Sequence, residues 1–407
     1  MTIDTSKICG RILSQESNKE KPPMKKSDMF KSLRKSQNFY GIDKSPYSKP
    51  SGYLDTGSYA INRVLTGDIH KGIPMGRITT LYGESQSGKS LLAANVIITA
   101  LNSGAVDKVI YYDNEGGGCV DMIRNNVKNW DDDDPPCETC LMTDIEDFET
   151  KLIELVDVST KAYNEYLEDP DNNDNIRALV VVDSFGGLKA RKVKEDALKK
   201  GAVADDMGRE AKIKKRVACT MGTGAMAGNL TFLVINYSYE NPGAMFSSKI
   251  KNMAGGSGLE YYSELKVQCE KVFVKADDDD FLTGVEGETE KDKGFYKGTK
   301  FRFFVSKART VKPFYQATVF LDYNTGLSRY DGLIEDAVKM GFLQDVRGGY
   351  ICPTYSDKRV TYRDLVSKKE IWDTFIEKFN ERSIEIMSYS NNTSKELDAI
   401  ESAIKED

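Results

Sequence analysis

The sequence predicts an α/β fold with a twisted, mostly parallel sheet flanked by helices, and three observations carry that expectation. Residues 76–92, GRITTLYGESQSGKSLL, read as a short buried strand, a glycine-bounded loop and the first turn of a helix. Residues 178–184, ALVVVDS, are an aliphatic run ending in a carboxylate, which suits a parallel strand covered on both faces. Other apolar runs, at 109–112 and 231–236, are separated from these by stretches of helical spacing.

The loop Gly83, Glu84, Ser85, Gln86, Ser87, Gly88, Lys89, Ser90 fits G-x-x-x-x-G-K-[ST] at every fixed position. The two glycines let the backbone turn successive N–H groups inward around a phosphate. Lys89 then reaches the β- and γ-phosphates, and the Ser90 hydroxyl is a Mg²⁺ ligand. A helix over 89–101 sets its positive dipole end against the same phosphates. The expected cofactors are therefore ATP and Mg²⁺. Asp183, at the end of the aliphatic run, pairs with Ser90 to hold Mg²⁺ through its water shell.

Length and composition bound the rest. A chain of 407 residues suggests a large core domain with extensions, placed here as an N-terminal arm (1–50), a core (51–330) and a C-terminal extension with an acidic tail (331–407). No apolar run approaches a membrane span and nothing marks the chain for export, so a cytoplasmic location is expected. Seven cysteines, scattered and odd in number, suit a reducing compartment. Cys137 and Cys140 have C-x-x-C spacing, but the single histidine, His70, is far off in sequence. They read as ordinary thiols in a loop. A net charge of −6 gives no general argument for nucleic-acid binding, which must come from local basic patches.

In order along the chain, residues 1–50 are polar, with one apolar patch that offers Phe30, Leu33 and Phe39. Two readings stand, a disordered tail or an arm ordered against a neighbour. A helix is expected over 58–66. After the phosphate-loop helix, strand 109–112 closes on Asp113-Asn-Glu115. A carboxylate there lies at the edge where open α/β sheets bind ligands, so Glu115 either activates water or caps a turn. Residues 131–136 read as a solvated turn, and 145–166 as a helix.

The stretch 189–216 carries eleven Lys or Arg against five Asp or Glu and is expected to start as a loop and become helical near Asp206. A solvated face is the plain reading; the other is a held ligand that feels the nucleotide state, since the stretch follows directly from the strand ending at Asp183. Residues 239–258, YENPGAMFSSKIKNMAGGSG, form a long loop whose Lys249 and Lys251, with Met245 and Phe246 as an apolar wedge, suit a single nucleic-acid strand. A helix over 333–340, a turn at Gly341 and helices near 368–379 complete the expected elements.

With Gly72-Ile-Pro-Met-Gly-Arg before the phosphate loop, Asp113-x-Glu115, Val182-Asp-Ser184, Val234-Ile-Asn236 and Val305-Ser-Lys307-Ala-Arg309-Thr, the chain resembles the RecA-type strand-exchange recombinases, and among them the UvsX recombinases of T4-like bacteriophages. The resemblance covers about 51–341. It implies a RecA-like ATPase core and a helical homo-oligomeric filament on single-stranded DNA. It also implies pairing with homologous double-stranded DNA, helped by loading or mediator and single-strand-binding proteins. Glu115 would be the catalytic glutamate. Residues 191–204, with Arg191, Lys192, Lys194, Lys199 and Lys200, would be the first DNA loop and 239–258 the second. Lys307 and Arg309 would reach ATP in the next subunit; on a strand such an i, i+2 pair shares one face. A ring helicase and a non-catalytic recombination mediator are the other functional classes. Two features depart from the family pattern. Tyr237 stands where Gln or His senses the γ-phosphate, and 276–298 is a longer, acidic segment.

Overall fold

The structure, a computed structural model, describes residues 31, 45, 48–169, 177–200, 207–239, 250–272, 298–322 and 326–389, with the backbone alone at 196–200 and 207. The chain divides into two units, residues 1–49 and 50–407, and all of the sheets belong to the second. The patch around Phe30, the tip of the second loop with Met245, Phe246 and Lys249, and the acidic 276–297 lie outside the described residues.

The strands are β1 (Tyr53–Leu54), β2 (Ile73–Pro74), β3 (Ile78–Gly83), β4 (Lys108–Asp113), β5 (Cys137–Leu141), β6 (Ala178–Asp183), β7 (Thr231–Tyr239), β8 (Asn252–Met253), β9 (Leu265–Val272), β10 (Gly298–Ala308), β11 (Gln316–Asp322), β12 (Gly326–Leu327), β13 (Gln344–Val346), β14 (Gly349–Cys352) and β15 (Ser356–Val360). The main sheet runs β12-β11-β10-β9-β3-β7-β6-β4-β5, with β8 added beside β7. From β9 to β5 the pairings are parallel, while β10, β11 and β12 are antiparallel.

The sequence explains the layering. Every residue of β3 and β6 is buried, because helices cover both faces of these central strands. Full burial of each valine of β6 contributes about 1.5–3 kcal/mol. One side packs against helices Lys89–Asn102 and Tyr59–Thr66, and the other against Ile145–Glu168 and Met207–Ala227. Ser58 starts its helix by accepting from the Ile61 N–H, and Gly67 ends it in the left-handed region at φ 81°.

Several elements differ from expectation. Cys137 and Cys140 lie on the edge strand β5, paired with Val109 and Tyr112, so they are not in a loop. The basic stretch is helical from Arg191 to Lys200 before the helix Met207–Ala227 begins. The loop after Asn236 is shortened at both ends: β7 continues to Tyr239, and β8 pairs back onto it. The C-terminal region adds a three-stranded sheet, β13-β14-β15, to helices Ile334–Lys339, Tyr362–Ser367, Lys369–Trp372 and Ile376–Met387. Its Trp372, Phe375 and Phe379 share one apolar cluster with Leu54 and Leu65. Among the described residues no helix is long and apolar enough to cross a membrane.

Helix Ile376–Met387 is stapled to the start of the core. Asn380 Oδ1 accepts from the Ile69 N–H at 2.9 Å, its Nδ2 donates to Asp68 at 3.0 Å, and Ser383 donates to the Gly67 carbonyl at 2.9 Å. Arg63, nearly buried, pairs with Asp336 at 2.6 Å. Each of these contacts satisfies a polar group that burial would otherwise leave costly.

Candidate nucleotide site

The parallel register brings the predicted groups to one edge. Gly83 of β3 lies level with Tyr237 of β7 and Cys269 of β9, and Asp113 of β4 lies level with Asp183 of β6. Gly83, Asp113 and Asp183 are the last residues of their strands, at the edge where such sheets bind ligands.

Close approach forces glycine in the loop. A Cβ on Gly83 would stand 2.2 Å from the Cys269 carbonyl oxygen. Gly88 has φ 87°, and a Cβ there would stand 2.9 Å from the Phe301 ring. Gly88 caps helix Lys89–Asn102 without a side-chain hydrogen bond, so the first-turn N–H groups face outward as an anion seat. Lys89 Nζ donates to the carbonyls of Gly83 (3.2 Å) and Glu84 (2.5 Å) and to Ser87 Oγ (3.3 Å), folded over its own loop. Burial lowers the Lys89 pKa, against the opposing charges of Asp183, Glu115 and Glu84.

Ser90 Oγ donates to Asp183 Oδ2 at 3.2 Å. The same oxygen accepts from the Tyr111 hydroxyl at 2.7 Å. Burial raises the Asp183 pKa, opposed by the Tyr111 hydrogen bond and reinforced by Glu115. The hydroxyl and carboxylate form an all-oxygen donor pair, which suits a hard cation that keeps its waters and shares phosphate oxygens. Among the described residues no group of three or more His, Cys, Asp or Glu side chains could hold a metal by itself. Ser90 and Asp183 therefore fit a nucleotide-bound Mg²⁺ and would not hold a free ion alone.

Glu115 sits on a turn built by Asp113, whose Oδ1 accepts from the N–H groups of Glu115 and Gly116, both at 2.8 Å. Its carboxylate is exposed and accepts from Ser184 Oγ at 2.5 Å, while Asn114 Oδ1 accepts from the Ser184 N–H at 2.6 Å. Ser184, Tyr111 and Phe301 are site residues that motif reading missed. Tyr111 had a signal, since it shares a strand face with Asp113 two residues on. Phe301 had none, because its contact with Gly88 is made across the sheet.

Two open cavities flank the loop. One of about 320 Å³ is lined by Gly88, Leu91, Thr299, Phe301 and Leu321. The other, of about 360 Å³, lies over the first half of the loop and is lined by Glu84, Ser85, Lys251, Glu270 and Lys271.

The remaining candidates are spread out. Lys307 is level with Lys266, and Ala308 and Thr79 are both level with Leu265. This is the opposite sheet edge, about 13 Å along the strands from Gly83 at roughly 3.3 Å per residue. A bulge after Val305 re-aims Lys307, and Arg309 lies just past the end of β10. Both cations bind the end of helix Ser257–Tyr262: Lys307 donates to the Glu260 carbonyl at 2.7 Å and Arg309 to that of Tyr261 at 2.7 Å. Burial and the Arg309 charge lower the Lys307 pKa.

In the first basic segment Arg191 pairs with Asp144 at 3.1 Å and Lys194 donates to the Thr143 carbonyl, while Lys192 is exposed. Lys199 and Lys200 lie on the last turn of that helix. Lys251 pairs with Glu84 of the phosphate loop. Tyr237 donates to the Gly186 carbonyl at 3.1 Å, which also accepts from Lys214 Nζ at 3.0 Å. That contact ties the end of β7 to the turn leading into the first basic segment.

Asp183→Asn separates stability from function. A carboxyl with a raised folded-state pKa contributes stability below its unfolded value and loses it as pH rises through the folded value. Without nucleotide and Mg²⁺, the Asn variant should melt at or above the wild-type temperature, with the gap opening as pH rises above the ordinary aspartate range. It should also lose Mg²⁺-dependent nucleotide binding. Calorimetry across pH checks this; a constant gap would mean that Tyr111 and Ser90 already offset the burial cost.

No family model matches the chain. It is similar to the protein RecA of a Nocardioides species, at 25% identity over 303 residues, covering 74% of this chain and 73% of that one. It is equally similar to the recombination and repair protein of enterobacteria phage T4, 25% over 312 residues, covering 77% and 69%. The protein RecA of Aquifex aeolicus is 26% identical over 310 residues, covering 75% of each. With a mostly parallel central sheet and a phosphate loop at its carboxyl edge, this similarity over three quarters of the sequence gives the chain a RecA-type core.

Proposed function

We propose that this chain is a RecA-type recombinase that assembles as a filament on single-stranded DNA, pairs it with a homologous duplex and hydrolyses ATP as it does so. The order of its motifs favours a likeness to the UvsX recombinases within that class. One observation carries the reading: Gly83–Ser90, Asp183 and Glu115 meet at one sheet edge, while the cations Lys307 and Arg309 stand at the other. Such an arrangement is complete only when the cation edge of one subunit meets the phosphate edge of the next.

In this reading the loop N–H groups and Lys89 would hold the β- and γ-phosphates, and Ser90 and Asp183 would hold a nucleotide-bound Mg²⁺, whose charge would offset that of the phosphates. Glu115 orients the attacking water and Ser184 orients Glu115. Catalysis is then positioning and charge stabilisation. Arg191 and Lys194 are tethered to residues 143–144, and Lys192 stands exposed beside them on the first turn of the helix.

The test is imaging with single-stranded DNA and a slowly hydrolysed ATP analogue, together with ATPase assays. Helical filaments and DNA-stimulated hydrolysis are expected, both abolished by Lys89→Ala. Closed rings would favour a helicase, and nucleotide binding without hydrolysis would favour a mediator.

A further inference from the structure

Lys251 belongs to the segment expected to contact DNA, yet its side chain reaches the phosphate loop. Its ammonium pairs with the Glu84 carboxylate in the phosphate loop. Its backbone N–H donates to Gln268 Oε1 at 2.8 Å, which fixes the residue against β9. The side chain is about a quarter exposed, at 23%, whereas that of Glu84 is 66% exposed. Both line the cavity of about 360 Å³ over residues 84–87, together with Lys271 and Glu270. Lys89 Nζ is anchored on the Glu84 carbonyl at the floor of the same half of the loop. The Lys251 hydrogen bond is the main cause that lowers the Glu84 pKa, so the carboxylate is held ionised as its partner. Two residues beyond Lys251, Met253 pairs with Ser238 on β7, one residue past Tyr237.

A terminal phosphate carries more negative charge than one carboxylate and competes for the same ammonium. Loss of that phosphate on hydrolysis returns Lys251 to Glu84. Since Lys251 is continuous with β8, such an exchange of partners acts on the pairing of β8 with β7. The Tyr237 hydroxyl donates instead to the Gly186 carbonyl.

We propose that Lys251 is the cation that distinguishes ATP from ADP in this chain: Glu84 holds it when no terminal phosphate is present, and the γ-phosphate takes it when ATP binds. The proposal rests on the nucleotide-site reading and adds to it a residue that would otherwise be assigned to DNA.

The test is nucleotide affinity in the absence of DNA, measured by titration with ADP and with a slowly hydrolysed ATP analogue, on wild type, Lys251→Met, Glu84→Gln and the double variant. Lys251→Met should weaken the ATP analogue by about ten- to hundredfold, the worth of one hydrogen bond to a charged group, and leave ADP unchanged. Glu84→Gln should do the opposite, tightening the analogue by removing the competitor. The double variant should follow Lys251→Met. A pair that merely braces the loop would give the same change in both single variants, with the ATP-to-ADP ratio unmoved, and that result would overturn the proposal. If Lys251→Met is poorly folded, Lys251→Arg replaces it: retained charge should preserve the ATP-to-ADP ratio, and loss of discrimination in that variant also overturns the proposal. Lys89→Ala separates the two levels of argument. If wild type binds neither nucleotide, or Lys89→Ala binds both, the nucleotide-site reading itself fails. If both controls behave and the ratio is indifferent to Lys251, this inference alone fails.

Discussion

Glu115→Gln should keep ATP binding and lose turnover by at least about a hundredfold, the lower range for removing a positioned general base. The change is nearly isosteric, and the Gln side-chain oxygen can still accept from Ser184, so the turn built by Asp113 should persist. What is lost is the negative charge that the proposed role assigns to orienting and deprotonating water. Filaments formed with ATP should therefore outlast those of the wild type, because the ATP-bound state no longer decays. Steady-state hydrolysis on single-stranded DNA, with nucleotide affinity measured in parallel, tests the assignment. Near wild-type turnover would return Glu115 to the role of a turn carboxylate.

The second large effect requires two subunits. Lys307→Ala with Arg309→Ala should lower turnover by about 10³ to 10⁵, the range for cations supplied in trans to a transferring phosphoryl group. Nucleotide binding by the isolated subunit should survive, because both residues lie at the edge remote from its own phosphate loop. Mixed with Glu115→Gln subunits on single-stranded DNA, the two nearly inactive proteins should recover part of the activity. Recovery arises only where an intact Glu115 site abuts an intact Lys307 and Arg309. Labelling both variants establishes that they share filaments. No recovery in such mixed filaments would reject the cross-subunit role.

The sequence showed the site most clearly where its chemistry is local. Gly83 to Ser90 is eight consecutive residues, and the run ending at Asp183 announces a buried parallel strand, so both could be placed without knowledge of neighbours. Glu115 was legible through its position after a strand but not through its partner, since Ser184 is 69 residues away. The contact of Lys251 with the phosphate loop was not legible, because its partner Glu84 is 167 residues earlier. The edge strand β5 was hidden because it lacks alternation: the adjacent Glu138 and Thr139 are both exposed, as an outermost strand allows. The sheet β13-β14-β15 was hidden by strands of three to five residues, too short for a period to show. Helix Arg191–Lys200 was read as a loop because its small residues follow rather than interrupt it.

The staple between helix Ile376–Met387 and residues 67–69 has a consequence for how the protein is made. The bonds of Asn380 and Ser383 span 311 and 316 residues of sequence. At translation rates of about 5–20 residues per second, Gly67 and Ile69 wait roughly a quarter of a minute to a minute for their partners to be synthesised. Through that interval the buried flank of helix Tyr59–Thr66, with Leu65 and Ile69, has no permanent cover on this side. The central parallel strands can pair earlier, but the unit as described closes only when its last helix arrives. Contacts of such long range slow folding and leave apolar surface open to aggregation on the nascent chain. Protection of this flank is therefore needed through most of synthesis, and helix Ile376–Met387 acts as the clasp that ends it.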